Sequence, residues 1–249
     1  MAILWTKAVR GKRYEVRTAG RTRRLYENGV FHSQYNEQKP ITGSVWDLLS
    51  LPAFFFGEGA IRRVLVLGVG GGAVISQLQR FIRPDAIVGV DCSAVHLYVA
   101  RRFFGLNQPG VELVESDAVA WLNTYTGPKF DMIIDDLFGE QDGQPVRGVD
   151  ANAAWFDAQV KHLTPRGIMV TNFDTAQSFR DSGYFRQRRV AGRFKTAFRL
   201  GNARVQNAVG VFSRGSVSSA NLRRELGRVD ELQRAMGSGK LSYRIRRIA

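Results

Sequence analysis

Five short apolar runs in this chain are each followed by residues able to do chemistry. "VLVL" leads into Gly68, Gly70, Gly71 and Gly72, and "AIVGV" into Asp91 and Cys92. "VELVES" leads into Asp117 and Ala118, "FDMII" into Asp135 and Asp136, and "IMVT" into Asn172. The glycines let a backbone approach a ligand closely and leave N–H groups free at a helix start. Asp91, about 20 residues further on, suits the two hydroxyls of a ribose and repels a 2′-phosphate. Asp117 can cap a helix and accept from the exocyclic amine of an adenine. Asp135 and Asp136 are adjacent, so their side chains point to opposite faces, and one of the two can be a plain strand-end carboxylate. Cys92 flanks the same nucleotide pocket, and nothing near it marks an activated thiol.

The elements that must hold these residues alternate from residue 62 onward. Near-continuous apolar strands ("RVLVLG", "AIVGVD", "VELVES", "FDMIIDD", "IMVTNF") alternate with amphipathic helices, the last helix predicted over 175–190. Two further strands, "FKTAFRL" and "NAVGVFSR", are joined by a tight turn at Gly201-Asn202 and pair antiparallel. Such strands lie in a mostly parallel sheet covered on both faces, and right-handed crossovers make it doubly wound. Ligands of such sheets bind at the carboxyl ends of the strands, where all five exits lie. The fold class is α/β, a doubly wound, mostly parallel seven-stranded Rossmann-like sheet. A small β-hairpin domain precedes it over 1–43, with turn signals at Ala19-Gly20 and Asn28-Gly29. The sheet domain takes 44–213, beginning with an apolar helix over 44–56 interrupted at Pro52. A basic helix and tail take 214–249.

Two nucleotides fit the exits. Gly68-x-Gly70-x-x-Ala73 satisfies the dinucleotide fingerprint and points to NAD. S-adenosylmethionine sites use the same loop and acid, and add an acid after the third strand and a polar residue after the fourth. They also end in an antiparallel strand pair. Both additions are present, which favours an adenosyl sulfonium ligand.

Composition bounds the rest. The 249 residues carry a net charge of +14. Residues 1–40 and 214–249 each hold a net +6, and the stretch between them only +2. Basic ends attract polyanions such as nucleic acid, or form a solvated surface that aids solubility or homodimer contacts. One cysteine and three histidines, His32, His96 and His162, cannot build a closed zinc site, so no metal is expected. No apolar run is long enough to span a membrane, and the N-terminus does not read as a secretory signal. The expected location is the cytoplasm. His96 and His162 read as helix residues without a catalytic part.

From Tyr14 to Ser213 the chain resembles the spermidine synthase-like proteins, a branch of the class I S-adenosylmethionine-dependent transferases with the methyltransferase type of sheet. "VLVLGVGGGAV" resembles their glycine loop, and "VGVDCSAVHLYVARRFFGL" the ribose-binding acid and following helix. "VELVESDAVAWL", "FDMIIDDLF" and "LTPRGIMVTNF" resemble the three later strands. The resemblance implies that Asp91 holds the ribose and Asp117 the adenine. It implies that Asp136 accepts a proton from an attacking amine, within a pocket that includes Gln34, Trp46, Asp47 and Asp135. The donor is then S-adenosylmethionine or its decarboxylated form, and the acceptor a small molecule, an amine in polyamine synthesis. Gly71 stands where the family's loop keeps an aspartate, Gly139 where its strand signature keeps a second one, and Val45-Trp46-Asp47 where it keeps Tyr-His-Glu. These exchanges favour S-adenosylmethionine itself and a methyltransferase-like reaction, with aminopropyl transfer to a polyamine as the alternative. A non-catalytic adenosyl-binding or nucleic-acid-associated protein is the third reading.

Overall fold

The computed structural model describes residues 1–249. Four strands, β1 (Ala2–Val9), β2 (Lys12–Ala19), β3 (Thr22–Glu27) and β4 (Val30–Tyr35), form an antiparallel meander in chain order. Two of its tight turns take positive φ, at Arg10-Gly11 and at Asn28-Gly29, where glycine or asparagine suits that conformation. Between β3 and β4 the register slips. Leu25 pairs with Ser33 and Tyr26 with Phe31, so His32 is left as a bulge. A bulge re-aims a side chain, and here it changes which β4 residues face the rest of the protein. Tyr14, Val16 and Leu25 of the meander pack on Val95, Val99 and Phe104.

α1 (Val45–Ser50) runs into a 3₁₀ turn, Leu51–Phe55, with Pro52 in its first turn. Proline there removes an N–H that has no partner anyway, so the chain tightens without ending its apolar stretch. Then comes the central sheet: β5 (Arg63–Leu67), β6 (Ala86–Asp91), β7 (Val111–Glu115), β8 (Phe130–Asp135), β11 (Leu163–Phe173), β12 (Thr196–Gly201), β13 (Ala208–Ser213) and β14 (Arg244–Arg247). Its order is β14-β12-β13-β11-β8-β5-β6-β7. The run β11-β8-β5-β6-β7 is parallel, and β13, β12 and β14 join antiparallel. Strand order reverses between β5 and β8, which places the switch point at Gly68 and Asp136. The mostly parallel, doubly wound sheet read from the sequence is present, with an eighth strand added by the tail.

α2 (Ala73–Phe81), α3 (Ala94–Phe103), α4 (Ala118–Thr124) and α5 (Ala153–Lys161) cover the sheet. Ser93, Asp117 and Asn152 cap α3, α4 and α5 by accepting from N–H groups of the first turn. The two faces of the sheet bury separate apolar clusters of 34 and 21 residues. In the larger, Phe55 stacks on Phe198 with ring centroids 4.9 Å apart.

Three segments differ from the sequence reading. The helix expected over 175–190 is three short ones, α6 (Ala176–Arg180), α7 (Gly183–Arg186) and α8 (Arg188–Ala191). A Cβ on Gly183 would lie 2.5 Å from the Ala153 backbone nitrogen, so the chain here presses against the start of α5 and breaks. After β8 a hairpin, β9 (Phe138–Gln141) and β10 (Gln144–Arg147), turns at Asp142-Gly143, both at positive φ. That dipeptide is a hairpin signal, hidden by the weak alternation of its flanks. The tail forms two helices, α9 (Ser219–Leu226) and α10 (Asp230–Gly237), before β14. Leu222, Leu226, Leu232 and Leu241 bury themselves in the same cluster as α1 and the sheet. No helix is long and apolar enough to cross a membrane.

Candidate active site

A cavity of about 470 Å³ opens at the carboxyl ends of the central strands. Gly68, Val69 and Gly70 form its floor with Asp91, Asp136 and Asn172. Phe31 and His32 of β4, Trp46 of α1 and Gln144 and Pro145 of β10 form its walls. The bulge turns His32 toward the cavity.

Gly68 is at φ +86°, and a Cβ there would lie 2.2 Å from the Asp136 carbonyl oxygen. Only glycine fits, because the ends of β5 and β8 are drawn together: the Asp136 N–H donates to the Leu67 carbonyl at 2.8 Å. Gly70 lies against the His32 backbone. Gly71 and Gly72 serve another purpose than the expected ligand contact. A Cβ on Gly71 would sit 2.8 Å from the Ser33 Cβ and 3.1 Å from the Phe104 ring, and one on Gly72 2.1 Å from Leu106. Neither lines the cavity. The absence of an acid at Gly71 is therefore a packing matter: the meander and the end of α3 occupy its space.

Asp91 is 8% exposed and lines the cavity. Its Oδ2 accepts from the N–H groups of Val69 (3.0 Å) and Gly70 (2.9 Å), and its Oδ1 from Ser93 N–H (2.8 Å). His96 Nδ1 stands 3.5 Å from Oδ2. The carboxylate thus fastens the glycine loop, and Oδ1 keeps one further acceptor position toward a ligand. Behind it a chain of alternating charges runs out to the surface at Lys12. His96 Nε2 lies 3.0 Å from Glu27 Oε2, out of line for a hydrogen bond, and Glu27 Oε1 accepts from Lys12 at 2.5 Å. Burial pushes the His96 imidazolium down, but Asp91 and Glu27 outweigh it and hold its pKa up to about 9. Burial likewise works against the Glu27 carboxylate, yet His96 and Lys12 hold it at about 2. His32, buried and facing the charged His96, is pushed down to about 4 and is neutral. His96, read from the sequence as a plain helix residue, therefore lines the cavity, and Glu27 is buried behind it. Their partners lie on different elements, and only the docking of the meander on α3 brings them together.

This chain sets a pH dependence. His96 contributes stability that is complete below its unfolded pKa of 6.5 and is lost as pH rises through about 9. The Glu27 contribution is present above 4.5 and is lost as pH falls through about 2. Holding His96 from 6.5 to about 9 corresponds to about 3 kcal/mol. Thermal unfolding scans at pH 6 and pH 9 are expected to show a midpoint lower by several degrees at pH 9. In His96→Gln that difference should vanish; an unchanged slope would assign it elsewhere.

Asp136 Oδ1 accepts from Asn172 Nδ2 at 2.7 Å, and Asn172 Oδ1 in turn accepts from Asn207 Nδ2 at 3.0 Å. Burial, reinforced by the neighbouring Asp135 charge, raises the Asp136 pKa to about 6 against the pull of Asn172. Asp135 turns to the opposite face and is fully buried, which corrects its expected place in an acceptor pocket. It accepts from Arg147 at 2.5 Å and from the Trp155 indole N–H at 2.8 Å. Arg147 also donates to the Asn172 carbonyl at 2.7 Å, so Asp135 pins the β9–β10 hairpin over the cavity.

Other expected residues are placed elsewhere. Asp47 is 2% exposed and accepts from Thr42, Gly43 and Gln77, tying the start of α1 to α2 rather than facing a ligand. Gln34 accepts from Arg24 at 3.0 Å and lines a separate depression, because the bulge shifts the register of β4. Cys92 is exposed, Asp117 caps α4 and Ala118 is buried in a sheet cluster; none lines the cavity. Ser116 N–H donates to the Asp91 carbonyl at 3.1 Å, which sets Asp117 on the shoulder beside Asp91. Trp46 is 7% exposed, lines the cavity as expected and meets Phe31 edge-on. No group of three or more His, Cys, Asp or Glu side chains is arranged to hold a metal ion.

No family model matches the chain. A polyamine aminopropyltransferase of Chromobacterium violaceum is 29% identical over 115 residues, 45% of this chain and 42% of that protein. The alignment thus spans less than half the relative's length. A probable spermidine synthase from Corynebacterium glutamicum superposes with a TM-score of 0.68 at 18% identity, covering 91% of this chain and 88% of that one. Human methyltransferase-like protein 13 in complex with SAH superposes at 0.56 with 15% identity, covering 78% and 90%. The chain is thus similar over part of its sequence to a polyamine aminopropyltransferase, and in fold to a probable spermidine synthase.

Proposed function

We propose that the protein is an S-adenosyl-dependent transferase that alkylates an amine, with Asp136 as the base. The observation that carries this reading is Asp136 itself. It stands at the switch point, on the cavity floor opposite the glycine loop, with its carboxyl oriented by Asn172 and its pKa raised to about 6. Such a group is ionised at neutral pH and placed to take a proton from the acceptor's ammonium, freeing the neutral amine that attacks. The remaining residues fit an adenosyl donor. Gly68 and Gly70 allow close backbone approach, and Asp91 keeps an acceptor position for a ribose hydroxyl. His32 lines the cavity, and its buried Nε2 has no partner in the chain. The donor, when bound, supplies an electrophilic carbon on a sulfonium. The protein aligns the amine with that carbon, holds the proton at Asp136 and excludes water with Trp46, Phe31 and Phe138.

Aminopropyl as the transferred group is supported by the polyamine aminopropyltransferase relative and the spermidine synthase neighbour. Methyl transfer is favoured by a different observation. Asp47 and Asp135 turn away and Gly71 has no room for an acid, so only Asp91, Asp136 and Asp174 face the cavity. A polycation finds few partners there. Parallel incubation with S-adenosylmethionine and with its decarboxylated form, each with a panel of amines, decides the matter by product mass. One donor is expected to be consumed in an amine-dependent way. Absence of binding by both donors at millimolar concentration would overturn the transferase reading.

A further inference from the structure

A second cavity, about 360 Å³, opens at the same carboxyl end of the sheet, on the β12–β14 edge. Gln206 and Asn207 line both cavities, so the two are neighbours that share a wall. The outer wall carries Arg199 of β12 and Arg244 and Arg246 of β14. Arg199 stands directly opposite Arg246, and Gly201 opposite Arg244. Partners across a ladder, and residues two apart on a strand, share a face. Three guanidinium groups therefore crowd one face of a two-strand edge. The ion pairs of the protein involve other cations, and these three arginines have no carboxylate partner. Asp174, at the boundary between the cavities, is hydrogen-bonded to Thr175 and Ser178. Like charges directly opposite one another destabilise a sheet, and an arginine fork matches phosphate or carboxylate geometry.

The groove is also wired to the base. Asn207, in the shared wall, donates to Asn172, which donates to Asp136. We propose that Arg199, Arg244 and Arg246 bind an anionic group, phosphate or carboxylate, of the acceptor whose amine reaches Asp136. This rests on the transferase reading above and adds the acceptor's class: an amine that carries an anion, in place of a free polyamine, which three arginines would repel. The groove's small volume suits one anionic group and its linker.

Calorimetry of the full chain with pyrophosphate, malonate and S-adenosylhomocysteine at low salt tests this. One of the two anions is expected to bind, and Arg199→Gln and Arg246→Gln each to weaken it about tenfold, with S-adenosylhomocysteine affinity unchanged. Preference for pyrophosphate supports a phosphate-bearing acceptor, and preference for malonate a carboxylate-bearing one. Arg246 is exposed, so its variant keeps the test valid where Arg199→Gln disturbs folding. Binding of S-adenosylhomocysteine without either anion, or anion binding indifferent to both substitutions, would overturn the proposal. So would RNA binding that needs these arginines while no small anion binds. Failure of S-adenosylhomocysteine alone to bind would overturn the transferase reading and leave the anion site supported.

Discussion

Replacing Asp136 by asparagine is expected to lower turnover by about 10²–10⁴-fold while leaving donor affinity within about twofold. The reason is local. Asn keeps the size and one oxygen for the Asn172 bond at 2.7 Å, but it cannot take a proton. Wild-type kcat/KM should rise with pH through about 6 and then level, as the carboxyl ionises. The variant's residual rate should lack that limb. The folding effect has the opposite sign. A carboxyl whose pKa is raised from 3.8 to about 6 favours the folded state when protonated, and that stability is lost as pH rises through this window. At pH 7 the variant should unfold at the same temperature as the wild type or higher, the trade expected of a strained active-site charge. Turnover within threefold of wild type would remove Asp136 from the role of base.

Asp91→Asn is expected to have the largest effect on the framework. One carboxylate satisfies Val69, Gly70 and Ser93 and faces the charged His96. The asparagine amide sets N–H groups against N–H groups at the loop or loses the Ser93 bond, and leaves His96 with one counter-charge fewer. Breaking one partner of a buried ion pair costs about 3–5 kcal/mol. Denaturant unfolding should show that loss, and calorimetry a fall of at least tenfold in S-adenosylhomocysteine affinity, since the loop is no longer held. Adding His96→Gln should recover part of the stability, because the stranded charge is gone. Full additivity of the two substitutions would refute the coupling between them.

The parts of this protein that were legible beforehand share a physical cause. Parallel strands buried on both faces read as apolar runs, and their exits must carry whatever meets a ligand. Gly68, Gly70, Asp91, Asp136 and Asn172 were readable in that way, and all line one cavity. Residues outside that rule were not. Asp135 and Asp136 differ only in the face they take, and which face is the cavity depends on the helices packed behind. Asp47 looks like a pocket acid until Thr42, Gly43 and Gln77 surround it. His32 enters the site, and Gln34 leaves it, through one bulge that no local pattern announces. Glu27, His96 and Lys12 meet only across an interface between two sheets' worth of structure.

The short strand β14 has one more consequence. Without it β12, "TAFRLG", would be an open sheet edge of mostly apolar residues, a template for pairing with another chain. β14 covers that edge with "RIRR" and turns an adhesive rim into a cationic one. The same arginines would then serve both recognition and colloidal protection. Selection for a different acceptor at this groove would have to keep the rim charged or accept a protein that aggregates, so the choice of acceptor and the solubility of the chain are bound to evolve together.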